Sequence, residues 1–131
     1  MVSRNYLVAA AVLAVAILVS IPLFTGYVSI LMVSGDSMHP DMPDGTVALC
    51  HATDGWDVEE GDVVAFRLND DRIVHQVIDV ETEHNMLDEP TDRRITAQGT
   101  NNDVPDPAVP PHLVECSVSV YVTPGLDFER A

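Results

Sequence analysis

The chain has 131 residues, with 21 Asp and Glu against six Arg and no Lys, which gives a formal net charge of -15 at pH 7. This length allows one compact domain but not two ordinary ones. Affinity for nucleic acid comes largely from Lys and Arg that neutralise phosphates, so we do not expect so acidic a chain to bind nucleic acid.

The first element in the chain is a predicted membrane-spanning helix. Residues 5–35 contain no Asp, Glu, Lys or Arg, and residues 6–24 form an almost continuous aliphatic run. A helix of that length spans about 30 Å, the thickness of the hydrocarbon core of a bilayer. The alternatives are a cleavable signal peptide, whose apolar region is usually shorter, and a buried core helix of a soluble protein, which the rest of this short chain could hardly enclose.

The charges beside this segment predict its orientation. Arg4 precedes the apolar run, and the next cation is Arg67, so the positive-inside rule places the N-terminus in the cytoplasm. We therefore interpret residues 1–26 as a tail and transmembrane anchor and residues 27–131 as an extracytoplasmic domain. The expected location is the cell membrane, as a single-pass protein in contact with the lipid bilayer.

The acidity of the second part of the chain indicates adaptation to salt. All 21 acidic residues and five of the six Arg lie in residues 36–131, and 47% of the whole chain is hydrophobic. This hydrophobic content and the regular Val and Ile runs favour a packed domain over a disordered acidic tail. Because high salt screens the repulsion within such a surface, we expect a halophilic source.

Short runs rich in β-branched residues predict a mainly β domain, a small closed or folded-over sheet. Turn residues such as Gly, Pro, Asn and Asp separate the runs. The predicted strands cover residues 27–33, 46–51, 62–68, 72–80, 94–98 and 113–122. The one helical candidate outside the membrane segment is a short stretch near residues 83–87.

Residues 69–71 (NDD) join two of these runs and predict a hairpin. Because side chains alternate along a strand, Ile73, His75, Val77 and Asp79 are expected on one face of its second strand. A lone histidine between apolar neighbours is in most proteins a buried polar group without catalytic function, so this position alone does not assign a role to His75.

Cys50 and Cys116 lie in apolar runs of the domain that we place outside the membrane. A disulfide is chemically permitted there, and two buried thiols are equally compatible with the sequence. Neither cysteine has a CxxC partner, and the histidines show no zinc-type spacing. We therefore predict no metal and no cofactor.

A turn segment follows the first predicted strand, and three further motifs follow it in order. They are residues 34–40 (SGDSMHP), 61–64 (GDVV), 73–78 (IVHQVI) and 99–107 (GTNNDVPDP). Together these motifs resemble those of the type I signal peptidase family, membrane-anchored serine proteases that remove signal peptides from secreted proteins. The resemblance covers residues 34–107 and implies that Ser37, directly before the methionine, is the nucleophile.

The resemblance also implies the identity of the general base. Bacterial members of the family use a serine and a lysine, whereas archaeal and endoplasmic-reticulum members have a histidine in place of the lysine. This chain has no lysine, and His75 occupies the motif in which the base is expected. An imidazole can accept a proton from a serine hydroxyl near neutral pH, and we expect the backbone N–H of Ser37 to stabilise the oxyanion.

A carboxylate that orients the histidine is expected in the last motif. The resemblance implies Asp106 for this role, because related archaeal enzymes have an aspartate near the end of this motif. The chain has Thr100 where the family usually has an aspartate after the glycine, and Asp103 is the alternative acid. Histidine and aspartate would then act with Ser37 as a triad.

Residues between the membrane and the nucleophile are the expected substrate-binding residues. A signal peptide must be extended where it is cut, and the strand before Ser37 can pair with it as an added strand. We therefore expect Ile30, Met32 and Val33 to contact the substrate, with small side chains accepted beside Ser37, as the resemblance implies. The expected partners are the signal peptides of secreted preproteins and the protein export machinery.

Two other functions share some of these features. Self-cleaving repressors of the DNA-damage response share the protease core, but they use lysine and are soluble. A non-catalytic, membrane-anchored acidic surface domain is the alternative from another functional class, and it predicts that Ser37 and His75 are far apart.

Overall fold

The computed structural model describes residues 3–125 and 128–131. Within them, one α-helix is followed by a domain of seven β-strands, so the prediction of a mainly β protein with an N-terminal apolar helix is confirmed. The elements are α1 (Arg4–Phe24), β1 (Val28–Met32), β2 (Val47–Ala52), β3 (Val63–Leu68), β4 (Asp71–His84), β5 (Pro90–Gln98), β6 (Val114–Val122) and β7 (Phe128–Arg130), with 3-10 turns at Gly55–Asp57 and Pro111–Leu113.

Helix α1 is long and apolar enough to cross a membrane. Its window Arg4–Ile21 has a mean hydropathy of 2.0, and none of that window is buried against the rest of the protein. In the part of the chain that the structure describes, it is the one helix with these properties. A soluble core helix would be mostly buried, so the interpretation of α1 as a core helix is wrong.

The seven strands form one antiparallel sheet in the order β1-β2-β6-β3-β4-β5, with β7 paired to β6. Strand β6 therefore lies between β2 and β3 in the sheet, although it follows β1–β5 in sequence. The end strands β1 and β5 do not pair with each other among the described residues, so the sheet is not closed, and of the two predicted forms, closed or folded-over, the closed one is not observed. A groove lies between β1 and the first half of β4.

The predicted hairpin at residues 69–71 is confirmed. Leu68 is paired with Asp71, and the two connecting residues, Asn69 and Asp70, have positive φ angles of 51° and 70°. A two-residue loop with both φ angles positive is a type I′ turn, which matches the twist of the flanking strands. This turn fixes the register that places His75 opposite Val64.

The helix predicted near residues 83–87 is wrong, because the end of β4 and a turn occupy this stretch. The Asn85 side chain accepts hydrogen bonds from the N–H groups of Leu87 and Glu89, at 2.9 and 3.0 Å. An asparagine that bonds nearby backbone donors stabilises a turn in competition with a helix. The two flanking strands, β4 and β5, extend as a long hairpin.

The prediction that side chains at 73, 75, 77 and 79 share one face of β4 is correct only for the first part of the strand. Ile73 and Val77 contact the same buried cluster, as the alternation requires. The pairing of β4 with β5 shifts between Val77 and Asp79, and after this irregularity Val80 faces the cluster while Asp79 is exposed. A bulge adds one residue and so reverses which positions face the core.

Strand β3 contributes to two hydrophobic clusters, one on each face of the sheet. Val63 and Ala65 pack with residues of β1, β2 and β6, whereas Val64 and Phe66 pack with residues of β4 and β5. A strand that is buried on both faces has a continuous apolar sequence, which explains the run of four apolar residues here. These two clusters hold the loops of the site described below.

Cys50 on β2 and Cys116 on β6 form a disulfide, with a Cα–Cα distance of 5.6 Å. Both cysteines are buried in the first hydrophobic cluster. Of the two possibilities left open by the sequence, the structure therefore has the disulfide.

Candidate active site

Ser37 lies in the turn that follows β1, and the contacts of a buried neighbouring side chain hold this turn in place. Met38 is almost completely buried in the first hydrophobic cluster, so the residue beside the serine anchors the turn. On the other side, the N–H of Gly35 donates to Asp44 Oδ1 at 2.8 Å, and Gly35 has a φ angle of 90°. Glycine adopts this positive φ without steric cost. The Ser37 side chain is thus held on a rigid turn.

A second loop, residues 99–102, is hydrogen-bonded to the same turn. The backbone N–H of Asn101 donates to the carbonyl of Ser37 at 2.8 Å, and its side-chain Nδ2 donates to the carbonyl of Asp36 at 3.0 Å. Gly99 lies so close that an added Cβ would be 2.6 Å from the Ser37 carbonyl oxygen. Sequence reasoning assigned no role to Gly99 or Asn101, although both lie in the last of the quoted motifs.

His75 comes from β4 and is 6% exposed. Its Nε2 lies 3.0 Å from Ser37 Oγ, and its ring packs against the Phe66 ring in a T-shaped arrangement with a centroid distance of 6.4 Å. The two residues are 38 positions apart in sequence, so the sheet brings them together. The arrangement gives the serine hydroxyl a neighbouring base.

The other ring nitrogen of His75, Nδ1, is hydrogen-bonded to Asp106 Oδ2. Because a carboxylate accepts, Nδ1 carries the proton, and Nε2 is left to accept from the Ser37 hydroxyl. Asp106 is itself fixed, since its backbone N–H donates to the carbonyl of Ala97 at 2.8 Å. The alternative acid, Asp103, is exposed and does not contact His75.

Thr100, the residue at which the chain departs from the family motif, packs against the nucleophile turn. Its backbone N–H and its Oγ1 lie 3.5 and 3.8 Å from Met38 Sδ. The loop therefore supports Met38 as well as Ser37 and places no carboxylate at this position.

A groove of about 430 Å³ opens beside the Ser37 hydroxyl. Residues 30–34 line one side of it and residues 72–75 line the other. Ile30, Met32 and Val33, the expected substrate-binding residues, all lie in this lining, together with Leu31, which sequence reasoning did not include. Ile30 and Met32 are exposed, whereas Leu31 and Val33 reach into the core beneath the groove.

Both walls of the groove have backbone edges that are not used by the sheet. In the described part of the chain, β1 pairs with β2 alone, and β5 pairs with β4 only from Gln76 onward. The stretch of β4 that precedes Gln76 therefore faces β1 across the groove with a free edge. Such edges are templates for pairing with an extended peptide.

Three charged side chains, Arg67, Arg72 and Glu115, form a group at the end of the groove that Arg72 lines. Arg67 Nε is 2.7 Å from one oxygen of Glu115, and Arg72 Nε is 2.7 Å from the other. Burial raises the pKa of Glu115, but the hydrogen bond from Arg67 and the charges of Arg72 and Arg67 outweigh it, so this pKa lies below its usual range. Glu115 is therefore ionised at neutral pH.

His51 lies on a strand that is not part of this site. His51 contacts Ser119, with 2.5 Å between Nδ1 and Oγ, on strands β2 and β6. Within residues 3–125 and 128–131, no three His, Cys, Asp or Glu side chains are arranged to hold a metal ion.

A serine hydroxyl, an imidazole and a carboxylate, linked in this order beside an open groove, define a serine peptidase-type β domain. Comparison with protein families agrees with this class. The model of the family described as Peptidase S24-like matches residues 15–111, about three quarters of the chain. The chain belongs to this family and is a serine peptidase-type hydrolase. Comparisons with curated proteins and with solved structures gave no match.

Proposed function

We propose that this protein is a membrane-bound signal peptidase of the serine–histidine type, which cleaves N-terminal signal peptides from exported preproteins. The carrying observation is the linked arrangement of Ser37, His75 and Asp106 at the end of a groove whose wall β1 begins four residues after α1 ends. A peptidase built in this way acts on an extended segment close to a membrane surface.

The three side chains have separate roles in the proposed reaction. Ser37 Oγ attacks the carbonyl carbon of the substrate peptide while His75 Nε2 takes the hydroxyl proton. His75 then gives this proton to the leaving amine, which leaves an acyl group on Ser37, and water removes that group by the same route. Asp106 keeps the proton on Nδ1 and stabilises the imidazolium. The Ser37 N–H is the proposed donor to the oxyanion.

The groove supports binding of the substrate as an extended strand. A peptide between β1 and the first half of β4 can pair with both free edges, which fixes its register relative to Ser37. Ile30, Met32 and Val33 would provide apolar contacts for its side chains. Because Leu31 and Val33 fill the floor, the space directly below the peptide suits small side chains such as alanine.

Two features favour a signal peptidase over a self-cleaving repressor within the same kind of fold. The sequence has no lysine, so a Ser–Lys dyad is impossible, and His75 occupies the position of the base. The apolar helix α1 also has no place in a soluble repressor. The non-catalytic surface domain predicts separated residues, which disagrees with the 3.0 Å between Ser37 Oγ and His75 Nε2.

The proposed location is the cell membrane, with residues 1–26 as tail and anchor and residues 27–131 outside the cytoplasm. The disulfide between Cys50 and Cys116 supports this location, because disulfides persist mainly in oxidising compartments. The bilayer, the preproteins and the export machinery are the proposed partners. A halophilic source remains part of the proposal, and it requires that the free energy of unfolding rises from low to molar salt.

The experiment that tests this function is cleavage of a membrane-inserted preprotein by the full chain in lipid vesicles at several salt concentrations. We expect Ser37→Ala and His75→Ala each to lower kcat/KM by about 10³-fold or more, as in other serine hydrolases whose nucleophile or base is removed. A variant of the preprotein with a bulky residue in place of the small one before the cut serves as the specificity control.

Folded content is checked by disulfide formation and by the thermal unfolding midpoint of each variant. Cleavage that survives Ser37→Ala would exclude Ser37 as the nucleophile. Equal cleavage of the small-residue and bulky-residue preproteins would leave a serine peptidase without signal peptide specificity.

A further inference from the structure

The described lining of the cleavage groove includes a cation and no acidic residue, in an otherwise acidic protein. The whole chain has a formal net charge of -15, yet residues 30–34 and 72–75, which form most of the lining, include no Asp or Glu. Arg72 is the one cation among the described lining residues. Arg72 and Arg67 share one carboxylate, Glu115, so this group keeps a positive charge and attracts anionic groups that the rest of the surface repels.

Arg72 lies at a defined distance from the reacting atoms. It is three residues before His75 on β4, which corresponds to about 10 Å along an extended strand. It also lines a second, smaller cavity together with Gly26 and Ser29, which lie just after α1. Arg72 therefore marks the end of the groove that is closer to the membrane anchor.

The Arg72 side chain is held in place but still able to bind a ligand. Its Nε contacts Glu115, which also contacts Arg67, so the guanidinium is oriented by an ion pair. A guanidinium has four further N–H donors, and the Arg72 side chain is 46% exposed. These donors match the two oxygens of a carboxylate.

We propose that Arg72 forms an anion-binding subsite for an acidic side chain of the substrate, located three to five residues before the cleaved bond. This inference rests on the proposed function, because it assigns a direction to the bound signal peptide. The apolar part of a signal peptide lies in the same membrane as α1, so the residues that precede the cut enter the groove from the Arg72 end. An extended substrate covers the distance from His75 to Arg72 with about three residues.

The test uses the full chain in neutral lipid vesicles and preproteins that differ at one position. Glu or Gln is placed in turn at each position from the second to the sixth residue before the cut, and kcat/KM is measured for both. For the parent enzyme we expect Glu to be preferred over Gln by about three- to fivefold at one position between the third and the fifth, the effect of a partly exposed ion pair.

Two variants identify the group that is responsible. Arg72→Gln is expected to bring the Glu/Gln ratio to one, and Glu115→Gln, which keeps Arg72 but removes its neighbouring negative charge, is expected to raise the ratio above the parental value. Arg94→Gln is the matched control, because Arg94 lies on β5 outside the groove lining, and it should leave the ratio unchanged. The preference should also weaken with added salt.

The outcomes separate this inference from the proposed function. Cleavage of the Gln preproteins with no Glu preference at any position would overturn the subsite and leave the signal peptidase proposal intact. A preference that persists in Arg72→Gln would overturn the role of Arg72. Absence of cleavage of every preprotein would overturn the proposed function and this inference with it.

Discussion

Two histidines of this protein each contact a serine hydroxyl, and their surroundings differ. His75 is buried, bonded through its second nitrogen to Asp106, and placed at the end of the groove. His51 is partly exposed on β2, with Ser119 on β6, and the described residues provide no carboxylate bonded to His51. The comparison teaches that a serine–histidine contact becomes a candidate catalytic site only with an orienting acid and a place for the substrate carbonyl.

The largest loss of kcat/KM is expected when the carboxylate that orients His75 is removed. The substitution Asp106→Asn leaves the Ser37–His75 pair without a carboxylate, as in the His51–Ser119 pair. An amide can favour the wrong tautomer of His75 and cannot stabilise the imidazolium. We expect kcat/KM for preprotein cleavage to fall by about 10³- to 10⁴-fold, with the fold retained. Asp103→Asn is the matched control and should change kcat/KM less than twofold, so equal losses in both variants would contradict the assignment of Asp106.

The support of the nucleophile turn provides the next largest effect. In Gly99→Ala the new Cβ would approach the Ser37 carbonyl to 2.6 Å, so either the turn or the loop must move. Because small misplacements of reacting groups are costly, we expect kcat to fall by about 10²-fold in protein that is still folded at the assay temperature. A variant with parental kcat would show that the two loops can separate without moving Ser37 Oγ.

The Cys50–Cys116 disulfide lies next to His51 and Ser119, which we call the exposed pair. Removal of the disulfide tests whether this part of the sheet stabilises the fold without a role in the reaction. Replacement of Cys50 and Cys116 together by serine should lower the free energy of unfolding by about 2–4 kcal/mol. Cleavage measured well below the unfolding midpoint should keep its parental kcat, since neither cysteine lines the groove or bonds to Ser37, His75 or Asp106. Denaturant unfolding and kinetics on the same samples separate the two effects, and a loss of kcat in folded protein would contradict this division.

The smallest effect is expected from the exposed pair itself. His51→Ala and Ser119→Ala should each leave kcat/KM within about twofold of the parent, as is usual for surface substitutions. If His51→Ala abolished cleavage in folded protein, the exposed pair and not His75 would be the reacting one.

Much of this arrangement follows from local sequence patterns. The strands are runs of β-branched residues, and the Asn69–Asp70 turn has the residue types that tolerate positive φ. Ser37, His75 and Asp106 were predicted from the family resemblance that the quoted motifs carry, and the structure brings their side chains together. The short strand β7 was missed because its three residues are all exposed and show no alternation.

Other features depend on contacts between distant parts of the chain. Asn101 holds the carbonyl of Ser37 across 64 positions, and no periodicity indicates such a bond. The pairing of Glu115 with both Arg67 and Arg72 likewise requires that β6 lies beside β3. The helix predicted near residues 83–87 failed because the Asn85 side chain satisfies the backbone donors of a turn.

The central position of β6 has a consequence for when the protein can act. The half of the sheet with β1, β2 and the Ser37 turn is connected to the half with His75 and Asp106 through β6, which follows all three residues in sequence. During synthesis from the N-terminus, both halves leave the ribosome before the strand that joins them. A chain that has not yet added β6 lacks the strand that joins the two halves of the sheet, so the arrangement of Ser37, His75 and Asp106 can be completed only after β6 has been made.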